Sequence, residues 1–388
     1  MASAAEDFAY DFGIEEEFFL VDADTHHVVR RPPRDLVPRL RHELGDCIAA
    51  ELLQSQVEIS SPVFQDHRQA REAMTGLRRG LTAMLARDGL AMIAAGTHPL
   101  AAWHVQIGTA SARYQALVDD FRIIARRNLL CALHVHVAVP LGMDRVALMN
   151  RALPWLPLFL GLSTSSPFWG RQQTGVLSYR QVVYGEWPRA GIPDFFADER
   201  EYDDFVQLIV RGGAMPDASN LWWAIRPSPR YPTLELRIAD SCTCLDHSLA
   251  LAALFRCLVR ALACDPEPGA RRSAATRRLV DENRWRAARD GTAARFIDEA
   301  AAEQVSLPEV LARLQCLCVH HIDVFDCAGT LQPLQDILSD GSSAQRQLAV
   351  YDERRARGAS RMDALHGVVA WLLQATAPGH GREPHGPA

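Results

Sequence analysis

The sequence predicts an α+β protein with a mostly antiparallel sheet. Segments that alternate like strands fill much of the first 240 residues, and hairpins or lone helices join them without a regular βα period. Almost everything after residue 246 has helical periodicity. We find no internal repeat or linker, so we predict a single domain over residues 1–375, followed by a disordered Gly/Pro-rich tail at 376–388.

The strands follow from runs of alternating or β-branched apolar residues that end at turn residues. A turn at 22–25 returns the chain as a hairpin, and Pro62 ends the third strand. The Pro-rich turn at 228–232 separates the last two strands. The predicted strands, in chain order, are 8–21, 26–29, 55–62, 90–96, 131–140, 220–227 and 233–240.

Helices are predicted where apolar residues recur three or four positions apart. Pro154 and Pro157 should kink the fourth helix, and a loop rich in Gly, Ser and Thr should run from about 163 to 196. The predicted helices before residue 246 are 34–44, 66–88, 111–129, 143–162 and 199–212. Breaks near 265–269, 327–333 and 339–343 divide the helical remainder.

The bulk composition excludes several classes of function. The formal net charge of −6 gives no reason to expect a nucleic acid or an anionic membrane as partner. We find no signal peptide and no apolar run of the roughly 18 residues that span a bilayer, so the nine cysteines should be reduced thiols in a cytoplasm. All 41 basic residues are Arg. The chain therefore cannot form a Walker-A phosphate loop or a lysine Schiff base, because both need Lys.

Three consecutive acids lie inside the first strand. Side chains alternate between the faces of a strand, so Glu15 and Glu17 share one face and Glu16 points to the other. The Cα atoms of Glu15 and Glu17 should lie about 6.5–7 Å apart. We expect Glu16 to face solvent or a neighbouring element.

Polar residues repeat in the same way on three further strands. His134 and His136 share a face, as do Glu235 and Arg237, and Glu58 stands between two apolar residues. Each pattern alone is more typical of a solvated strand face or a cross-strand ion pair. Several carboxylates gathered on one buried face need a cation, and oxygen-rich ligation favours Mg²⁺ or Mn²⁺. The repetition on four strands therefore indicates a metal site.

The ordered segments resemble the type 2 glutamate–cysteine ligase family, also called carboxylate–amine ligases. They are GIEEEFFLVD, VEISSP, AAGTHP, LHVHVAVP, SYRQVVYGEWP, LWWAIRPS and TLELRIAD. The resemblance covers nearly the whole chain and implies a glutamine synthetase-like fold, with a curved, mostly antiparallel sheet and helices packed on its outer face. It also implies an ATP-dependent ligase that joins glutamate to an amine such as cysteine through an acyl phosphate.

The resemblance also implies roles for individual residues. Five match metal-ligand positions for Mg²⁺ or Mn²⁺: Glu15, Glu17, Glu58, His134 and Glu235. His136 matches a position near the ATP phosphates, and Arg237 matches an arginine that neutralises the transferring phosphoryl group. Arg180 and Arg226 match active-site arginines for phosphate or a substrate carboxylate. The family usually has Gly before the first His of the pair, where this chain has Ala132 and Leu133.

Other functions stay open from the sequence. The H-x-H pattern also occurs in metal-dependent hydrolases, and a relative of the ligases could bind nucleotide without catalysis. A guanidino kinase shares the broader fold. The expected partners are small-molecule substrates, with a homo-oligomer as a further possibility.

The strand parity leads to a first prediction. Glu15→Gln or Glu235→Gln should abolish turnover and weaken metal binding, because each change removes an anionic ligand. Glu16→Gln, on the opposite face, should be nearly silent. ADP release and metal titration measure both effects, and unchanged rates in the first two variants would place the metal site elsewhere.

Overall fold

The computed structural model of the protein describes residues 5–264 and 273–377. Its strands are β1 (Phe12–Asp22), β2 (Ile48–Ala50), β3 (Gln56–Ser60), β4 (Leu90–Ile93), β5 (Leu133–Ala138), β6 (Phe168–Trp169), β7 (Gln172–Gln173), β8 (Ala190–Gly191), β9 (Trp222–Trp223), β10 (Ile225–Pro227), β11 (Thr233–Leu236), β12 (Arg295–Asp298) and β13 (Glu303–Ser306).

The helices before residue 246 are α1 (Leu36–Leu44), α2 (His67–Ala86), α3 (Ala112–Phe121), α4 (Ile123–Arg126), α5 (Arg145–Ala152), α6 (Leu156–Ser163), α7 (Tyr179–Tyr184), α8 (Glu199–Arg211) and the start of α9 (Leu245–Cys264). The later helices are α10 (Ala274–Asp290), α11 (Leu307–Val324), α12 (Ala328–Leu331), α13 (Pro333–Asp340), α14 (Ser343–Ala356) and α15 (Arg361–Thr376). Short 3₁₀ turns cover Gly45–Cys47, Trp103–Val105, Leu153–Trp155, Ala218–Asn220 and Gly291–Ala293.

Seven strands form the main sheet, in the order β10-β11-β5-β1-β3-β2 with β4 also paired to β1. Every pairing in this sheet is antiparallel. The strand pairs β6–β7, β8–β9 and β12–β13 form small separate sheets. The predicted α+β class, with a mostly antiparallel sheet and helices on its outer face, is confirmed.

Strand β1 lies inside the main sheet, paired with β3, β4 and β5, and its outer face is strongly apolar. Phe12, Ile14 and Phe18 are buried in one hydrophobic cluster with residues of α2 and α9. Burying each such side chain stabilises the fold by about 1.5–3 kcal/mol relative to leaving it exposed. The same cluster extends from Tyr10 to Ile337. The single domain over residues 1–375 stays a prediction.

Several element boundaries differ from the predicted ones. The helix predicted at 111–129 is broken at Arg122, where φ is +52°. The helix predicted at 143–162 is α5 and α6 joined by a 3₁₀ turn at Pro154, while Pro157 lies in the first turn of α6. A proline there forfeits no helical hydrogen bond, since the first N–H groups have no intrahelical acceptor. The β12–β13 hairpin was not predicted, because its strands are only four residues long.

The C-terminal helix continues to Thr376, so the predicted disordered tail at 376–388 begins too early. The Thr376 side chain is buried, and its hydroxyl accepts a hydrogen bond from the Ala94 backbone N–H at 3.1 Å. The remainder of the predicted tail, residues 378–388, lies outside the described residues.

The prediction that no segment is long and apolar enough to cross a membrane was wrong by length and composition. Two described helical stretches pass that test, Arg145–Ser163 and Leu245–Cys264. They are 72% and 89% buried inside the protein, as core helices are. The second carries Arg256 and Arg260, which are buried and donate hydrogen bonds to backbone carbonyl oxygens.

Glu16 lies on the outer face of β1 but does not reach solvent. Its side chain is 1% exposed and accepts hydrogen bonds from Arg78 Nη2 at 2.6 Å and Nε at 2.9 Å. The Ser248 hydroxyl donates to the same carboxylate. Arg78 also donates to the backbone carbonyl oxygens of Thr243 and Cys242. Glu16 thus faces a neighbouring element, one of its two predicted surroundings, and it neutralises a buried guanidinium. The silent effect of Glu16→Gln on turnover stays a prediction, but the substitution should not be silent for stability.

We predict that Glu16→Gln destabilises the protein by about 3–5 kcal/mol, because it leaves the Arg78 charge buried without an anion. Urea unfolding followed by circular dichroism measures this change. Glu353→Gln is the control, since its partner Arg357 is 74% exposed and surface ion pairs contribute little. Equal unfolding midpoints for both variants would contradict a stabilising role for the buried pair.

Candidate active site

The inner face of the sheet brings together the polar residues that the sequence singled out. Within the register of β1, Glu15 lies opposite His134 of β5, and Glu17 lies opposite Glu58 of β3. Strand parity therefore predicted correctly that these four side chains share one face.

The same face continues onto β11 and β10. Glu235 lies opposite His136 on one side and opposite Arg226 on the other. Arg237 follows two residues later, so parity places it on the same face. All nine predicted site residues line one cavity of about 730 Å³. They are Glu15, Glu17, Glu58, His134, His136, Arg180, Arg226, Glu235 and Arg237.

Two groups of three donors lie side by side in this cavity. The first group, the histidine triad, is Glu15, His136 and Glu235, and one ligand atom from each lies within 4.8 Å of the other two. His136 Nε2 is 3.5 Å from Glu15 Oε1 and 3.9 Å from Glu235 Oε1. This arrangement presents two carboxylates and one imidazole to a common point.

The carboxylates of the histidine triad are held ionised. Burial alone would raise the pKa of Glu15, but hydrogen bonds with His134 and His136 hold it well below its ordinary value. Burial likewise opposes ionisation of Glu235, yet Arg237 and Arg226 lower its pKa. The pKa of His136 is raised, because Glu15 and Glu235 outweigh its own desolvation.

The second group, the carboxylate triad, is Glu17, Glu51 and Glu58. Burial and the neighbouring charge of Glu58 raise the pKa of Glu17 to about 8. The pKa of Glu51 is raised well above its ordinary value by burial and by both other carboxylates. Three acids this close favour retained protons or a bound cation, since they cannot all be charged without compensation.

Glu51 was missed by the sequence analysis. It follows β2, whose three residues are too short for a visible alternation. The sequence carries no signal for it, because the register that pairs Ala49 with Glu58 comes from the structure. In that register the side chain two residues after Ala49 returns to the same face. Glu51 therefore lies on the sheet face that carries Glu17.

Both triads fit a divalent cation by the chemistry of their donors. Carboxylate oxygens are the ligands that Mg²⁺ and Mn²⁺ prefer, and a neutral imidazole is compatible with Mn²⁺. A cation would also offset the repulsion among the buried acids of the carboxylate triad.

His134 belongs to neither triad, which differs from the predicted ligand set. Its Nδ1 lies 3.1 Å from Glu15 Oε2, so it orients that carboxylate. Burial and the nearby Arg237 lower the pKa of His134 to about 4, which keeps the ring neutral. A partner of this kind commonly fixes the orientation of a metal-binding group.

The three arginines differ in how free their donors are. Arg226 donates to Glu235 Oε2 at 2.7 Å and to the carbonyl oxygens of Leu221 and Ser219 at 2.7 and 2.9 Å. Arg180 donates to the carbonyl oxygens of Ile238 and Arg237, each at 3.2 Å. Both guanidinium groups are thus engaged by the protein, and their predicted role in binding phosphate or a substrate carboxylate stays a prediction.

Arg237 is the one of these three arginines with a hydrogen-bond donor left unpaired by the described residues. It pairs with Glu235 and donates to the Tyr184 hydroxyl at 3.3 Å, but its Nε has no hydrogen-bond acceptor within residues 5–264 and 273–377. Its pKa is raised well above the ordinary value, because Glu235 outweighs the cost of burial. A permanently charged donor therefore lies next to the histidine triad.

We predict that the carboxylate triad makes stability depend on pH when no divalent cation is bound. Glu17 has a folded pKa of about 8 against an ordinary value of 4.5, so between these values only the folded state keeps the proton. The free energy of unfolding should therefore fall as pH rises from about 4.5 to about 8, by at most about 1.4 kcal/mol per pH unit for one proton. The raised pKa of His136 acts in the same direction.

Urea unfolding in EDTA at several pH values measures this slope. Glu17→Gln should flatten it, whereas Glu303→Gln, an exposed acid on β13, should leave it unchanged. Adding Mg²⁺ should restore stability most at the higher pH and release protons, because the metal displaces them. A slope that survives Glu17→Gln would contradict this account.

Comparison with known proteins places the chain in a family. A sequence model described as glutamate-cysteine ligase family 2 matches residues 11–365. A relative from Ectopseudomonas mendocina, provisionally named glutamate–cysteine ligase 2, is 44% identical over 369 residues, covering 94% of this chain and 96% of its own. One from Rhodospirillum rubrum with the same provisional name is 39% identical and covers 98% of each chain.

Two solved structures share the fold at low identity. A bifunctional glutathione synthetase from Pasteurella multocida has a TM-score of 0.69 at 13% identity, over 96% of this chain and 53% of that one. A glutamate–cysteine ligase from Francisella tularensis in complex with AMP has a TM-score of 0.65 at 11% identity, over 95% of this chain and 89% of that one. With the family match across nearly its whole length, the chain belongs to glutamate-cysteine ligase family 2.

Proposed function

We propose that the protein is an ATP-dependent ligase that joins the γ-carboxylate of glutamate to an amine. The observation that carries the proposal is the pair of triads on one sheet face, next to Arg237, in a single cavity. Family membership supports the ligase class, and the AMP named with the Francisella enzyme supports an adenine nucleotide as substrate.

The reaction would run in two steps, phosphoryl transfer to glutamate and then attack by the amine. A γ-carboxylate oxygen of glutamate attacks the γ-phosphorus of ATP, so a new P–O bond forms, the bond to the β-phosphate breaks, and ADP leaves. The amine nitrogen then attacks the acyl carbon, a C–N bond forms, and the C–O bond to phosphate breaks. Inorganic phosphate leaves, and the amine gives up one proton.

The residues present would serve these steps by charge and position. Arg237 would offset the negative charge that develops on the phosphoryl oxygens, which phosphoryl transfer needs more than covalent help. The histidine triad and the carboxylate triad would each hold a divalent cation, which supplies neutralisation of the phosphate charges. His134 would keep Glu15 oriented through their 3.1 Å contact. Arg226 and Arg180 would position Glu235 and the Arg237 backbone.

The test is ADP release coupled to mass spectrometry, with ATP, glutamate and a mixed pool of amines in Mg²⁺ or Mn²⁺. We expect one equivalent of ADP for each product whose mass is glutamate plus amine minus water. ADP without an amide, or amide hydrolysis without ATP, would contradict the ligase and favour a kinase or a metal-dependent hydrolase. Tight ATP binding without turnover on any amine would instead support a non-catalytic relative.

Substitutions link the activity to the triads. Glu15→Gln should lower turnover by about 100-fold or more, since it removes charge where the reaction needs it. Glu303→Gln is a matched control, because it neutralises an exposed strand carboxylate outside the cavity. If both variants kept full activity, the chemistry would lie outside the histidine triad.

A further inference from the structure

One end of the cavity is walled by aromatic and aliphatic side chains. We call it the aromatic end, and it is formed by Leu52, Tyr114, Leu117, Trp187 and Trp222. The ring centroids of Trp187 and Trp222 are 4.8 Å apart, and Phe121 packs against both. The aromatic rings of the wall therefore pack against one another, which fixes their positions.

The aromatic end adjoins the carboxylate triad. Leu52 follows Glu51 directly in the chain and shares a hydrophobic cluster with Trp187. The Tyr114 hydroxyl donates a 2.8 Å hydrogen bond to the Ala50 carbonyl oxygen, which ties the wall to the backbone next to Glu51. A substrate whose reactive group lies beside the carboxylate triad would therefore place its side group against these rings.

Polar groups at this end lack partners inside the protein. Trp187 is 6% exposed, and its indole Nε1–H, shielded from solvent, has no acceptor in the described part of the chain. Asn128 Oδ1, also on the cavity wall, has no donor there. A buried donor without a partner costs about 1–3 kcal/mol, so a ligand that supplied an acceptor would relieve the cost.

A cationic group lies close to the rings. Arg113 lines the cavity, with its guanidinium carbon 6.0 Å from the centre of the Tyr114 ring, and it forms no ion pair with the residues described. In the opposite part of the cavity, Arg237 lies next to Glu235 and has an unpaired Nε donor that suits a phosphate group. The two ends thus differ in chemistry: the aromatic end offers apolar rings with Arg113 beside them, and the opposite end offers the histidine triad with Arg237.

We infer that the aromatic end binds the acceptor, and that this acceptor is a primary amine with a large apolar or aromatic side group. The inference rests on the proposed function and names its substrate class. An α-amino acid would match these groups: its carboxylate would accept from Trp187 Nε1–H or pair with Arg113, and its amino group would donate to Asn128 Oδ1. A small polar acceptor such as cysteine leaves most of the ring surface uncovered.

The first experiment compares acceptors on the wild-type protein with ATP, Mg²⁺ and glutamate. Hydroxylamine, which is small enough to trap an acyl phosphate anywhere, reports ligase chemistry independently of the aromatic end. Phenylalanine, leucine and cysteine report the side group, and phenethylamine shows whether the carboxylate contributes. We expect kcat/KM for phenylalanine or leucine to exceed that for cysteine by about tenfold or more, the equivalent of one to two buried methylene groups.

The outcomes separate the two proposals. Hydroxamate formation with no preference for apolar amines over cysteine would overturn the acceptor inference and leave the ligase in place. No hydroxamate and no amide would overturn the ligase and the inference with it. A preference for phenethylamine over phenylalanine would support the apolar class and assign the acceptor to amines without a carboxylate.

A substitution tests the unpaired indole directly. Trp187→Phe keeps an aromatic ring and removes the N–H, so KM for the preferred acceptor should rise about 3- to 10-fold, the loss of one hydrogen bond. Trp285→Phe, an exposed tryptophan of α10, is the matched control. If Trp187→Phe raised KM for ATP and left that of the acceptor unchanged, the aromatic end would hold the adenine ring and the inference would fail.

Discussion

Three consecutive carboxylates on β1 require compensation on both faces of the sheet. Glu16 on the outer face meets Arg78 inside the helical layer, and that pair is fully buried. Glu15 and Glu17 on the inner face meet histidines, arginines and further acids in the cavity. A charge removed from water must find a partner within a few ångströms, so the packing of α2 and the layout of the cavity are both set by this strand.

The absence of lysine shapes how that compensation is made. Arg78, Arg180 and Arg226 are each buried and each satisfies several backbone carbonyl oxygens besides a carboxylate. A guanidinium can do this because it carries five donors and stays charged on burial. Lysine would tend to lose its proton in the same places. The buried arginines thus serve as fixed positive charges and as clamps between the sheet and its loops.

Much of the inner face could be predicted from the sequence, because strand parity is a local property. The spacing of Glu15 and Glu17, or of His134 and His136, fixes which side chains share a face once the strands are recognised. The rest depended on partners distant in the chain. Arg78 is 62 residues from Glu16, Glu51 follows a strand too short to recognise, and the aromatic end combines four separate segments.

Because Glu15 and Glu17 are two residues apart on one extended strand, backbone covalent geometry fixes the interval between the two triads. The aromatic end comes instead from segments outside the main sheet: the Leu52 loop, α3, the turn after α7, and β9. An insertion or substitution in those segments can alter the shape of the wall without moving the carboxylates. The spacing of the charged groups is thus fixed by one strand, while the shape of the aromatic end is set by separate segments. Relatives can therefore differ in the acceptor they bind while the spacing between the two triads stays the same.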